Sequence, residues 1–228
     1  MANVLFRKLS LQIKRWLGLE TPPVVLAYRG YGTTGQVFVR GHVLDDRLLY
    51  EPEAGDSLWR NLRAMLSRYF STTIPDAEVE VRFNGKSYQL RTDARGQFEL
   101  VIEGSHGLEE GWHRVEFLVQ NPLEKGPRHL EQWEEVYIST GGHDFGVISD
   151  VDDTILVSYA TETLKKLRLI LTKNAATRLP FPGVPAFYQA LCAGRDNYCS
   201  NPIFFISSSE WNLYDFLVDF CQAKGIPK

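Results

Sequence analysis

The run Phe145-Gly-Val-Ile-Ser-Asp-Val-Asp-Asp-Thr-Ile155 constrains this chain more than any other stretch. Phe145–Ile148 is short, apolar and β-branched, which is the pattern of a buried strand. It runs straight into three carboxylates, Asp150, Asp152 and Asp153. Like charges this close repel, and burying them is costly unless something positive lies among them. A strand that ends in Asp-x-Asp-Asp-Thr puts carboxylates where open α/β sheets bind ligands. A solvated acidic turn would need neither the apolar lead-in nor the immediate return to apolar character at Thr154-Ile155. A calcium loop of the EF-hand type does not fit. Counted from Asp150, Ile155 stands where that loop requires Gly, and Thr161 where it requires Glu.

The 228 residues are somewhat long for one domain, so two are expected. Apolar residues make up 44% and charged residues 23%, an ordinary balance for a globular protein. A net charge of −3 gives no electrostatic case for nucleic-acid binding. No apolar run approaches the length of a membrane span, and no secretory signal is read at the N-terminus. Cys192, Cys199 and Cys221 share no C-x-x-C spacing. Their odd number and spacing suggest reduced, partly buried thiols in a cytoplasmic protein, not a disulfide framework or a zinc site.

Residues 3–17 suit one amphipathic helix, with Leu5, Leu9, Ile13 and Trp16 on a single face. Arg7, Lys8, Lys14 and Arg15 make it basic. Such a helix can rest on an anionic membrane or dock on its own protein, and docking is the preferred reading. Two strands, Val24–Tyr28 and Gln36–Leu44, flank the loop Arg29–Gly35. Its glycines at 30, 32 and 35 spell Gly-x-Gly-x-x-Gly. A dinucleotide turn must open a helix, whereas Val-Phe-Val-Arg-Gly-His-Val-Leu follows with a β pattern, so this is a glycine-rich hairpin. Asp56 can cap a helix reaching about Phe70. The β pattern then returns. Glu78–Phe83 and Lys86–Arg91 are joined by Asn84-Gly85, and Gln97–Ile102, 112–120 and Glu134–Ser139 follow. The expected architecture for 22–140 is an antiparallel β-sandwich with a helical insertion.

Gly141-Gly142 marks a boundary, and 141–228 has α/β character. After the Asp150 strand come a helix capped by Thr161, a loop containing Arg178, and a helix over Val184–Ala193. A second buried strand, Pro202–Ile206, ends in Ser207-Ser208-Ser209. A last helix starts near Glu210 and stops at Gly225. A β–α–α–β order predicts a right-handed crossover, with the two strands parallel and their C-terminal tips side by side. Hydroxyls and backbone N–H groups at a helix N-terminus are natural phosphate ligands.

The two strand tips resemble motifs I and II of the haloacid dehalogenase-like phosphatases. That resemblance implies an incomplete Rossmann-like α/β domain. It makes Asp150 the nucleophile that takes the phosphoryl group and Asp152 the general acid/base. It makes Ser207 a phosphoryl ligand, with Ser208 and Thr154 beside it in the substrate site, and it has Asp150 and Asp152 hold Mg²⁺. The chemistry needs such residues. A carboxylate attacking phosphorus splits a hard hydrolysis into two easier steps. A second carboxyl shuttles the proton. The metal offsets the repulsion between the two.

Three stretches narrow the likeness: Ser149-Asp-Val-Asp-Asp-Thr-Ile155, Arg178-Leu-Pro-Phe-Pro-Gly-Val-Pro-Ala-Phe-Tyr188, and Phe204-Phe-Ile-Ser-Ser-Ser-Glu-Trp-Asn-Leu-Tyr-Asp-Phe-Leu217. Together they resemble the actin-patch-associated phosphatidate phosphatase family. Its bacterial relatives carry a β-rich domain with a stretch like Arg29-Gly-Tyr-Gly-Thr33 ahead of the catalytic part. Glu210 departs from the Pro usual there. The resemblance implies a Mg²⁺-dependent enzyme that removes phosphate from phosphatidate or a related phospholipid, with peripheral membrane contact. A soluble phosphomonoester is the alternative substrate, and a non-catalytic β-sandwich interaction protein is the alternative class. The superfamily uses four motifs and two are found here. On that resemblance the chain as given is expected to be a fragment lacking motifs III and IV, without normal turnover.

Overall fold

The computed structural model describes residues 22–45, 59, 71–104, 107–120, 129–152, 154–155, 180–195, 201–208 and 211–228. The expected helices over 3–17, 56–70 and 161–173 lie outside these residues, Trp59 apart. So do Asp153, Arg178 and Cys199. The chain divides into two compact units, Met1–Arg47 with Ser71–Gly141, and Leu48–Phe70 with Gly142–Lys228.

Among the described residues the first unit is a single eight-stranded sheet. Its strands are β1 (Pro23–Thr33), β2 (Gln36–Asp45), β3 (Thr72–Thr73), β4 (Glu78–Phe83), β5 (Lys86–Arg91), β6 (Gln97–Glu103), β7 (Gly111–Gln120) and β8 (His129–Ser139). The order is β3-β2-β1-β8-β7-β4-β5, with β6 also paired to β2. The expected all-antiparallel sandwich is corrected here, because β1 runs parallel to β8, with Tyr31 opposite Tyr137. Parallel pairing between the first strand and the last is long-range, so local turn chemistry does not announce it.

The sheet curls upon itself. Phe98 on β6 and Phe117 on β7 are four strand steps apart, about 19 Å in a flat sheet. Their ring centroids are 5.7 Å apart. Alternate residues of every long strand therefore meet in one core. It holds Val25, Val37, Val39, Val79, Val81, Phe83, Val115, Val119, Val136 and Ile138. The Asn84-Gly85 connection has φ of 48° and 72°, the left-handed pair that a two-residue hairpin turn requires.

The glycine-rich segment forms the expected hairpin, but Arg29–Thr33 is strand and only Thr34 and Gly35 make the turn between β1 and β2. β1 continues through it to Thr33, and Arg29 and Gly30 lie opposite the single Val39 in a β-bulge. A Cβ on Gly30 would fall 2.6 Å from the Phe38 carbonyl oxygen, and one on Gly32 2.6 Å from that of Gln36. Close approach of backbones, not phosphate binding, explains these glycines.

Gly96 closes the turn between β5 and β6 with φ of 74°. The Asp93 carboxylate accepts from the N–H groups of Arg95 and Gln97 and holds that turn. A Cβ on Gly96 would meet Thr73 Cβ at 2.6 Å. Gly96→Ala therefore combines left-handed strain with overpacking. We expect a loss of about 2–4 kcal/mol, read as a lower urea midpoint for the first unit.

The second unit, in its described residues, contains β9 (Val147–Asp150), β10 (Ile203–Ile206), α1 (Val184–Ala193), a 3₁₀ turn (Trp211–Leu213) and α2 (Tyr214–Ala223). A doubly wound sheet of several strands is not established by these elements. The two strands pair in parallel, as the crossover argument requires. Phe216, Phe220 and Cys221 of α2 and Tyr188 and Cys192 of α1 pack on Val151, Ile155 and Ile203. Gly225, at φ 66°, ends α2 in a Schellman motif, with Ile226 N–H on the Cys221 carbonyl and Gly225 N–H on that of Gln222. The strands are not buried on both faces as expected, since Ile148 is 72% and Ile206 60% exposed. No helix of the described residues is long and apolar enough to cross a membrane.

The expectation of three reduced thiols is also corrected. Cys192 is disulfide-bonded, while Cys221 is free and buried. The chain after α1 turns back so that Asn201 N–H donates to the Cys192 carbonyl oxygen at 3.0 Å. Bridging depends on such proximity, not on a C-x-x-C motif. With this bond in place the cysteines give no ground for a reducing compartment.

Candidate functional site

Pairing of Ile203↔Val147 through Ile206↔Asp150 brings two strand tips together. Val151 N–H reaches the Ile206 carbonyl oxygen at 3.1 Å and prolongs the contact by one residue. Val151 and Ile155 are buried, and the Ile155 N–H bonds back to the Val151 carbonyl at 3.0 Å. These two apolar side chains anchor the turn that carries the carboxylates. Between them, Asp152 is half-buried and Thr154 exposed, while Asp150 at the strand end is exposed.

Ser207 Oγ donates to Asp152 Oδ2 at 2.8 Å. The first residue after β10 thus holds the second carboxylate of the acidic run. A hydroxyl has one proton to donate. While it serves Asp152, Ser207 meets a phosphoryl oxygen only as an acceptor, so its expected ligand role requires the hydroxyl to turn. The side chains of Asp150, Thr154 and Ser208 make no hydrogen bond among the described residues. The structure therefore brings Asp150, Asp152 and Ser207 to one tip, with Ser208 exposed beside Ser207 and Thr154 not joined to the carboxylates.

Two contributors escaped the sequence reading. Ser149 Oγ donates to the Asp150 carbonyl oxygen at 3.0 Å, and it shares a short hydrogen bond with the Tyr188 hydroxyl. Tyr188 is buried on α1, edge-on to Phe205 of β10 with centroids 5.4 Å apart. This chain ties the helix to the backbone of Asp150. By periodicity Tyr188 is one more apolar helix position, and only its hydroxyl hints at a partner. Tyr188→Phe keeps the ring and removes the bond. We expect a stability loss of about 1 kcal/mol, with most of the effect gone in a Ser149→Ala background when thermal melts are compared as a double-mutant cycle.

Mg²⁺ is held by one or two carboxylates together with phosphate and water. Asp150, exposed, and Asp152, fixed by Ser207, form a hard-oxygen pair that fits this requirement. Among the described residues no group of three or more His, Cys, Asp or Glu side chains gathers as a metal site.

Residues 145–228 match the family model of the phosphatidate phosphatase APP1 catalytic domain. The match covers the acidic strand, both described helices and the serine-tipped strand, and it supports phosphatase activity in general. No curated protein matches the chain. Among solved structures it is similar to a Ca²⁺-stabilised adhesin with which an Antarctic bacterium binds ice (12% identity, TM-score 0.28, 56% of this chain and 30% of that one). It is also similar to the CARDB domain of the PF1109 protein of Pyrococcus furiosus (14% identity, TM-score 0.27, 52% and 96%). A further similarity is to XAC1771, a carbohydrate acetylesterase of Xanthomonas citri (14% identity, TM-score 0.32, 83% and 40%). The chain spans well under two thirds of the adhesin and of the esterase, and nothing is carried over from them.

Proposed function

We propose that the tip of β9 and β10 hydrolyses a phosphomonoester, foremost phosphatidate, through a phosphoryl group carried on Asp150. The observation that supports this best is the hydrogen-bonded meeting of Asp152 with Ser207 next to an exposed Asp150, within the stretch that matches a phosphatidate phosphatase catalytic domain. In this reading an Asp150 oxygen attacks phosphorus and the P–O bond to the alcohol breaks. Asp152 gives its proton to the leaving oxygen. Asp152 then takes a proton from water as the water attacks the aspartyl-phosphate, and phosphate leaves with the Asp150 carboxylate restored. Ser207 holds Asp152 in place for both transfers. Asp150 and Asp152 are the residues that would hold Mg²⁺, which would offset negative charge on the carboxylates and phosphoryl oxygens.

A haloacid dehalogenase-type mechanism is part of this proposal. Mg²⁺-dependent phosphate release from phosphatidate in mixed micelles, set against sugar and nucleotide monophosphates, tests it. Release from phosphatidate alone supports the lipid reading. Release from soluble esters alone moves the substrate while keeping the chemistry, and release from neither removes the catalytic reading.

A further inference from the structure

The tip of the β4–β5 hairpin borders a small hollow in the first unit. Its volume is about 300 Å³, at the small end of ligand sites. Arg82, Asn84, Lys86 and Ser87 line it from the hairpin, and Arg114 and Glu116 line it from β7. Strand register brings these residues together. Arg82 stands opposite Glu116 on β7 and opposite Ser87 on β5, and Arg114 is two residues from Glu116 on the same face. Val81, Phe83, Val115 and Phe117 turn to the core, so Arg82, Arg114 and Glu116 between them face outward. The left-handed pair Asn84-Gly85 fixes the turn, so the hollow is framed by ladder and turn, not by a loose loop.

The lining keeps donors open to a ligand. Arg82 Nε donates to Glu80 Oε1 at 2.6 Å, and Ser87 Oγ donates to the same oxygen at 3.1 Å. Arg114 has Nε 3.3 Å from Glu116 Oε1 and Nη2 3.8 Å from Glu131 Oε1, with its guanidinium 5.3 Å from the centre of the Trp133 ring. A guanidinium has more N–H donors than these contacts engage. The side chains of Lys86 and Asn84 make no hydrogen bond or ion pair among the described residues. Arg82, Asn84, Lys86, Ser87 and Arg114 are all exposed.

The charge of the lining decides what it takes. Three cations, Arg82, Lys86 and Arg114, face one carboxylate, Glu116, a net charge of +2. A phosphomonoester carries a charge of about −1.5 to −2 at neutral pH, on strong acceptor oxygens that point in different directions. It therefore matches the lining both in charge and in the spread of its donors. A carboxylate carries less charge in a single plane, and one arginine fork satisfies it. Glu80 and Glu131 stand just outside the lining, beside Arg82 and Arg114. They repel the successive phosphates of a nucleic acid, which needs an unbroken basic stripe. One compact dianion suits the hollow, and a polyanion does not.

We propose that the hollow formed by Arg82, Asn84, Lys86 and Arg114 binds the phosphate group of a phosphomonoester. No residue of the β9–β10 tip takes part. Titration of the full chain with glycerol 3-phosphate, followed by NMR on the amide signals of Asn84–Ser87, tests this, with EDTA present to prevent metal-dependent turnover. The expected result is a saturable shift of those signals. Glycerol, and sodium chloride at matched ionic strength, should not produce it. Lys86→Ala and, independently, Arg82→Ala should each weaken binding about fivefold or more, because each removes charge-assisted hydrogen bonds. Arg95→Ala, an exposed cation on the turn before β6, should leave it unchanged. Lys86 is exposed with no side-chain partner among the described residues, so its variant keeps the fold. Sedimentation with phosphatidate vesicles and not with phosphatidylcholine vesicles, lost in Lys86→Ala, would support the site and assign the phosphate to a lipid headgroup. A saturable shift without sedimentation would support it with a soluble ester as the source. No saturable shift, an equal shift with chloride, or a shift that survives both Lys86→Ala and Arg82→Ala would overturn the proposal.

Discussion

Asp150→Asn is expected to abolish phosphomonoester hydrolysis, because an amide oxygen is a far poorer nucleophile than a carboxylate and yields no stable acyl phosphate. The substitution is isosteric at an exposed side chain with no hydrogen bond among the described residues, so the fold should not change. Asp152→Asn removes the proton shuttle but keeps an acceptor for Ser207. It should slow turnover by about 10²–10⁴, the usual contribution of general acid–base catalysis. Ser207→Ala should cost less than either, since it frees Asp152 without removing it. Steady-state kinetics on whichever ester proves to be the substrate, with melting curves as a fold control, reads all three. Near-full activity in Asp150→Asn would show that the nucleophile is misassigned.

The second large effect concerns stability. Phe117→Ala should destabilise the first unit by about 3–5 kcal/mol. Phe117 is fully buried in the middle of β7, against Phe98, where the curl brings distant strands face to face. Truncation leaves a cavity lined by valines that are already tightly held in strand geometry, so little collapse can fill it. A drop in Tm of more than about 10 °C follows for a unit of this size. Trp133→Ala on the outward face should change stability by less than about 0.5 kcal/mol. Similar losses in the two variants would contradict the curled core.

Most strand positions were legible because hairpins are local. Asn84-Gly85 declared its turn, and Glu78–Phe83 and Lys86–Arg91 stand where alternation put them. β1 was read too short, because its glycines look like a loop until the Phe38 and Gln36 carbonyls that crowd them are seen. The parallel β1–β8 pairing depends on distant chain segments meeting, which no window of sequence records, and the Cys192 disulfide depends on the chain turning back just after α1, which cysteine spacing alone does not declare. At the site, parallel tips followed from crossover handedness, and Asp150 and Ile206 do stand side by side. The acidic strand begins at Val147, two residues after the apolar run opens, because Phe145 is apolar yet exposed. Tyr188 was missed because its partner, Ser149, lies on another element.

The central claim is that Asp150 carries the phosphoryl group, and trapping that intermediate tests it most directly. The full chain would be mixed with substrate and Mg²⁺, quenched in acid, digested, and the peptide spanning 145–155 weighed. The account predicts the added mass of one phosphoryl group on Asp150, absent in Asp150→Asn and longer-lived in Asp152→Asn. Mg²⁺-dependent phosphate release with no label on Asp150 at any quench time, and undiminished by Asp150→Asn, would contradict it.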